Sequence, residues 1–133
     1  MSRMSSVTPP EFFLDRSLGK ATAEKLREHG LVVHRIAEHY PQDASEVLDE
    51  VWIAEGCSRG WALLTKDKRI RYRSAELAAL DGLLFCLVGG NATVDEMAVR
   101  LITAMPAINR AIERGRPGFW HINAKGEIRR MWP

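Results

Sequence analysis

The sequence predicts an α/β fold: a three-layer, mostly parallel, doubly wound sheet closed by a C-terminal β-hairpin. Three observations carry that expectation. Short continuous apolar runs, Phe12–Leu14, Leu31–Val33, Trp61–Leu64 and Leu83–Val88, read as strands buried on both faces. Helix-forming segments separate them, so consecutive strands should be joined by right-handed crossovers. Beyond residue 117 the pattern changes to two strand-like runs around Asn123-Ala124-Lys125-Gly126, a hairpin signal.

Taken in order, residues 1 to 10 read as a flexible N-terminal segment, and residues 11 to 133 as a single domain. Pro9 and Pro10 cannot donate ladder hydrogen bonds and mark the boundary. The first strand stops abruptly at Asp15. Residues 19 to 29 are rich in Ala, Lys, Glu, Leu and Arg and predict a helix, with Gly30 suited to its C-terminal cap. Residues 35 to 44 read as a polar loop around Tyr40-Pro41. Asp43 or Ser45 can open the next helix, which runs to about Arg59 with Val47, Leu48, Val51 and Trp52 at helical spacing. The third strand ends at Thr65-Lys66-Asp67. Residues 73 to 81 read as helical. Thr93 and Glu96 form a capping box before a long helical stretch that Pro106 should kink or divide. The minimal strand order is 2-1-3-4, with the hairpin added antiparallel at an edge.

Of the 133 residues, 46% are hydrophobic and 27% charged, which excludes a disordered chain. The formal charge is +2, too small to mark a nucleic-acid binder by itself. Its distribution says more. Lys66, Lys68, Arg69, Arg71 and Arg73 form a dense basic run, a candidate contact for nucleic-acid phosphates. Arg110, Arg114, Arg116, Arg129 and Arg130 form a second, looser group. Cys57 and Cys86 fit buried free thiols better than a disulfide framework. No apolar run approaches the roughly 20 residues of a membrane helix, and the first ten residues hold no signal-peptide core. The expected location is the cytoplasm.

The acids fall at telling places. Asp15 follows the first strand and Asp67 follows the third by two residues. In a doubly wound sheet, ligands bind beyond the carboxyl ends of the strands, at the point where the order reverses. With order 2-1-3-4 that crevice lies between strands one and three. Asp49, early in the helix leading into strand three, starts on the same side. Three clustered carboxylates repel one another unless a cation intervenes. Oxygen-rich sites suit Mg2+ or Mn2+, which can activate water and stabilise charge on a phosphodiester. The competing structural readings are caps and turns: Asp is favoured at helix N-termini.

The stretch FFLDRSLGK, followed by DEVWIAEGCSRGWALLTKDKRI, resembles compact PIN-like domains, relatives of the VapC ribonuclease toxins of toxin–antitoxin pairs. The shared pattern is an Asp ending strand one, an Asp opening a helix, then an apolar strand with T-x-D. The resemblance implies an endoribonuclease dependent on Mg2+ or Mn2+. It carries catalytic roles to Asp15, Asp49, Asp67 and Thr65, with the three aspartates as metal ligands. It also implies an RNA substrate. A cognate antitoxin protein and a homodimer are the candidate partners, and the absence of a long apolar run leaves no membrane expected. Typical members carry another acid on a helix after the second strand. That segment is shortened here, and Glu50 and Glu76 are the candidate substitutes. The missing ligand motivates an alternative: a catalytically weak or inactive PIN-like module that binds RNA or protein.

Other signals carry less. His29, His34 and His39 lack the spacing of a zinc motif on one helix. Trp52, Trp61, Trp120 and Trp132 are expected mainly in cores. Gly89-Gly90-Asn91 is a turn signal without a phosphate-loop pattern. Ser17 sits in no nucleophile-elbow motif. A phosphoacceptor or phosphatase reading is disfavoured, because Arg16 and Ser17 stand where such enzymes want a second acid.

Overall fold

The computed structural model describes residues 9–40, 47–89 and 92–133. The strands are β1 (Glu11–Leu14), β2 (Val32–Arg35), β3 (Ala62–Thr65), β4 (Leu83–Leu87), β5 (Gly118–Ile122) and β6 (Ile128–Trp132). The α-helices are α1 (Gly19–Glu28), α2 (Ile36–His39), α3 (Asp49–Ser58), α4 (Ser74–Ala79) and α5 (Val94–Arg114). Short 3-10 turns follow β1 at Arg16–Leu18 and β3 at Lys68–Tyr72. One sheet has the order β2-β1-β3-β4-β5-β6. The first five strands pair in parallel, and only β6 runs antiparallel, against β5.

Strand alternation divides the core between the two faces of this sheet. Phe12 and Leu14 of β1 pack with Ala23 and Leu26 of α1 and with Leu101, Ala104 and Ile108 of α5. Phe13, between them in sequence, points the other way onto Trp52 and Ile53 of α3 and onto Ile70. Successive residues buried on opposite faces are what a central parallel strand requires. Helices on both faces give the three layers.

Several local expectations need correction. The hairpin does not join wholly antiparallel: the 21-residue helix α5 is long enough to return the chain to the start of the sheet, so β5 enters parallel to β4. The segment after β2 is not all loop. Ile36 is buried, and the Glu38 carboxylate accepts from the Arg35 backbone N–H (2.9 Å), which satisfies one free donor at the start of α2. Helix α3 begins at Asp49, with Leu48 extended before it; the expected openers Asp43 and Ser45 lie outside the described residues. Its buried face is Trp52, Ile53 and Gly56, while Leu48 and Val51 are exposed. Pro106 does not divide α5, because burial of Leu101, Ala104, Ile108 and Ala111 outweighs one missing backbone hydrogen bond. No helix among the described residues is long and apolar enough to cross a membrane.

Gly56 sets how closely α3 approaches the sheet. A Cβ there would lie 2.9 Å from Phe13 Cδ2 and would also overlap the Leu63 side chain. Gly56→Val is therefore expected to destabilise the fold by about 1–3 kcal/mol through overpacking. Urea unfolding measures this, and an unchanged midpoint would show that α3 can retreat from β1 and β3 without loss.

Candidate active site

Asp15 leaves β1 with its backbone still in the sheet. Its N–H donates to the Leu64 carbonyl at 2.9 Å, so the β1–β3 ladder holds this residue at the strand ends. Thr65, the last residue of β3, is fully buried. Its hydroxyl donates to Asp15 Oδ2 at 2.8 Å and accepts from the Asp67 backbone N–H at 2.9 Å. One side chain thus ties the two strand-end aspartates together. Ser17 makes a parallel tie: its hydroxyl donates to Asp15 Oδ2 (2.9 Å) and accepts from the Lys66 N–H (3.2 Å).

Asp67 caps the following 3-10 turn. Its Oδ1 accepts from the Arg69 backbone N–H and Nε, both at 3.0 Å, and its Oδ2 accepts from Arg73 Nη1 at 3.1 Å. Asp49 arrives from the other direction, as the first residue of α3. Its Oδ1 accepts from the Trp52 indole N–H at 2.9 Å, and its Oδ2 accepts from Arg73 Nη1 at 3.1 Å. Asp15, Asp49 and Asp67 all line one groove of about 750 Å³, shared with Arg16, Ser17, Lys66, Lys68, Arg69 and Arg73. The groove lies beyond the carboxyl ends of β1 and β3, where the strand order reverses. A separate cavity of about 630 Å³ opens at the opposite end of the sheet, beside Glu11, Cys57, Trp61 and Arg116, and receives none of these acids.

The carboxylates sit in unlike electrostatic settings. Burial pushes the Asp15 carboxyl above its ordinary value; the Thr65 and Ser17 hydrogen bonds oppose this, and the Asp49 charge adds to it. Burial would also raise Asp67, but the hydrogen bonds from Arg69 and the charges of Arg73 and Arg69 outweigh it and hold that carboxyl below its ordinary value. Burial pushes the Cys86 thiol up to about 12, which leaves it inert at neutral pH.

The remaining candidates separate clearly. Lys66 and Lys68 line the groove, whereas Arg71 lies over the Tyr72 ring and does not. Arg69 and Arg73, expected on phosphates, are committed to the acids instead. Glu76 reaches the margin of the site through Arg73, whose Nε lies 3.5 Å from Glu76 Oε2. Glu50 is exposed and does not line the groove. Glu38, on the helix after β2, pairs with Arg27 at 3.0 Å and does not line the groove either. None of Arg110, Arg114, Arg116, Arg129 and Arg130 lines it. His34 pairs with Glu11 and stacks on Trp61, and His39 packs edge-on against that ring.

Sequence reasoning missed Ser17 and Trp52 as supports. Their only signals were the spacings Asp15–Ser17 and Asp49–Trp52, two and three residues, which bring side chains together at a turn and on a helix.

The donor set suits a hard divalent cation, since the groove offers carboxylates and no soft ligand. Arg73 is a stand-in for such charge, with one nitrogen shared between Asp49 and Asp67. As the side chains stand, no three acidic, histidine or cysteine residues among those described form a ready-made cage.

Comparison with known proteins agrees with the fold. The family described as PIN like domain matches residues 10–87, which contain all three aspartates. The chain is 32% identical over 122 residues to the Mycobacterium tuberculosis protein named "Putative ribonuclease VapC45", covering 88% of each chain. No solved structure matches. The chain belongs to the PIN-like domain family.

Proposed function

We propose that this PIN-like chain is an endoribonuclease dependent on Mg2+ or Mn2+, acting as the toxin of a toxin–antitoxin pair. The observation that carries the reading is the meeting of Asp15, Asp49 and Asp67, from three separate elements, in one groove bordered by lysines. The similarity to a protein named as a ribonuclease points the same way.

In this reading Asp15, Asp49 and Asp67 hold the divalent ion. When bound, the ion supplies a lowered water pKa and charge neutralisation at the phosphodiester. The chain's own residues do the rest. Thr65 holds the Asp15 carboxylate and the Asp67 backbone in a fixed relation. Lys66 and Lys68 attract and position the RNA backbone, so that water adds to phosphorus as the P–O bond to the leaving nucleotide breaks. Three acids beside five cations leave the groove net positive, which suits a polyanionic substrate. An antitoxin would act by covering this groove.

The test is cleavage of single-stranded RNA by the purified protein, with and without metal. Activity in Mg2+ or Mn2+ that EDTA abolishes and added metal restores is the expected result. Cleavage that persists in EDTA would overturn the metal assignment. The engagement of Asp49 and Asp67 by Arg73 favours a second reading, a PIN-like binding module without catalysis. RNA binding with no cleavage at saturating Mn2+ would select it.

A further inference from the structure

Arg73 occupies an unusual position. It stands between the 3-10 turn and α4, and its guanidinium touches acids from three elements. Nη1 lies 3.1 Å from Asp49 Oδ2 and 3.1 Å from Asp67 Oδ2, and Nε lies 3.5 Å from Glu76 Oε2. Among the described residues it is the one cation that bridges Asp49 to Asp67. Arg69 pairs with Asp67 alone, from a side chain that is 75% exposed, where solvent screens the pair. Glu76 is only 12% exposed and sits on α4, one turn from Arg73, and it meets the guanidinium at Nε rather than at the nitrogen the aspartates share.

We infer that Arg73 is a built-in counter-cation that competes with the divalent ion for Asp49 and Asp67, and that Glu76 is the berth that retains its guanidinium when those carboxylates are released. This rests on the proposed function only in taking the acids as a cation site. The reason is electrostatic. A single nitrogen shared by two carboxylates marks the point where bridging positive charge is most stabilised. A divalent ion held by these two carboxylates would compete with the guanidinium, because like charges at contact repel. Without metal, Arg73 offsets the repulsion between two of the three clustered acids. With metal, it must swing aside, and its Nε contact with Glu76 lets it do so without losing every partner. Metal affinity then becomes the difference between two cations' affinities for the same carboxylates.

The experiment is Mn2+ titration without RNA, by electron paramagnetic resonance of the free ion, on the wild type, Arg73→Gln, Arg73→Lys, Glu76→Gln and the double variant Arg73→Gln/Glu76→Gln. Arg73→Gln should bind Mn2+ roughly tenfold or more tightly than the wild type, within the usual range of site–site coupling. Its metal-free Tm should fall and its Mn2+-induced rise in Tm should grow. Arg73→Lys keeps the charge and should stay closer to the wild type. Glu76→Gln should weaken Mn2+ binding when Arg73 is present and have little effect when it is not. Equal or weaker Mn2+ binding by Arg73→Gln, in a variant that melts cooperatively, would overturn the competition. An equal effect of Glu76→Gln in both backgrounds would overturn the berth. If Arg73→Gln gains affinity but no variant cleaves RNA, the ribonuclease reading falls and this one stands. If the wild type cleaves RNA and Arg73→Gln gains no affinity, the reverse holds.

Discussion

Asp15→Asn and Asp67→Asn are each expected to lower kcat for the proposed RNA cleavage by about 10³-fold or more, because each removes a charged oxygen donor from the proposed metal site. Their effects on stability should have opposite signs. The Asp15 carboxyl is raised above its ordinary value by burial, so the folded chain binds its proton more readily than the unfolded chain. Stability then falls as pH rises from the unfolded value through the folded one, and at neutral pH the ionised group is a net cost. Asn keeps an oxygen that can accept from Thr65 and Ser17, so Asp15→Asn should raise the Tm of the metal-free protein by a few degrees. Asp67 is the opposite case. Its folded value is lowered by Arg69 and Arg73. Its contribution is present above the unfolded value and is lost as pH falls through the folded one. Asp67→Asn should therefore cost about 1 kcal/mol at neutral pH. Single-turnover cleavage and thermal melts at pH 7 measure both quantities. Mn2+ binding should weaken in acid as the metal-free Asp15 takes up a proton, while Asp67 is still ionised. Two variants that cleave like the wild type would remove both residues from the site.

Thr65→Val is expected to damage activity and folding together while changing no charge. Valine matches the shape of the buried side chain but removes the hydroxyl that joins Asp15 to the Asp67 backbone. The Asp67 N–H then loses its acceptor at a partly buried position, at a cost of about 1–3 kcal/mol. Asp15 loses a donor that opposes its burial, so its carboxyl should rise further. The outcome should be a roughly 10–100-fold fall in kcat, the usual effect of removing a group that orients metal ligands, if the proposed roles of Asp15 and Asp67 hold. The acid limb of the pH–rate profile should also move to higher pH. Thr65→Ser restores the hydroxyl and should recover most of the rate with the profile unshifted. If Thr65→Val loses activity with no change in its pH profile, the hydroxyl acts on packing rather than on Asp15.

Much of the frame was legible before the structure because it depends on short-range pattern. Phe12-Phe13-Leu14 ends at Asp15, and Ala62–Thr65 ends just before Asp67, so both acids stand at strand ends whatever the details of packing. The minimal doubly wound order 2-1-3-4, an expectation from fold class rather than from any residue, is the order found for β2-β1-β3-β4 and places those ends side by side. The errors arose where tertiary burial overruled local signal. Burial of Ile36 turned a polar loop into α2, and the packed face of α5 carried a helix through Pro106.

The sequence by itself determined a parallel α/β sheet and the strand-end positions of Asp15 and Asp67, because strand termini are written in a few consecutive residues. Only the tertiary structure decided how the three aspartates are held. Thr65 could be placed beside Asp67 from spacing, but its bond to Asp15 spans 50 residues. Arg73 read as one more cation in a basic run; that it bridges Asp49 and Asp67 depends on where α3 and the 3-10 turn meet in space. Charge type is a property of one residue, whereas the choice among several nearby partners depends on distances that exist only in the fold.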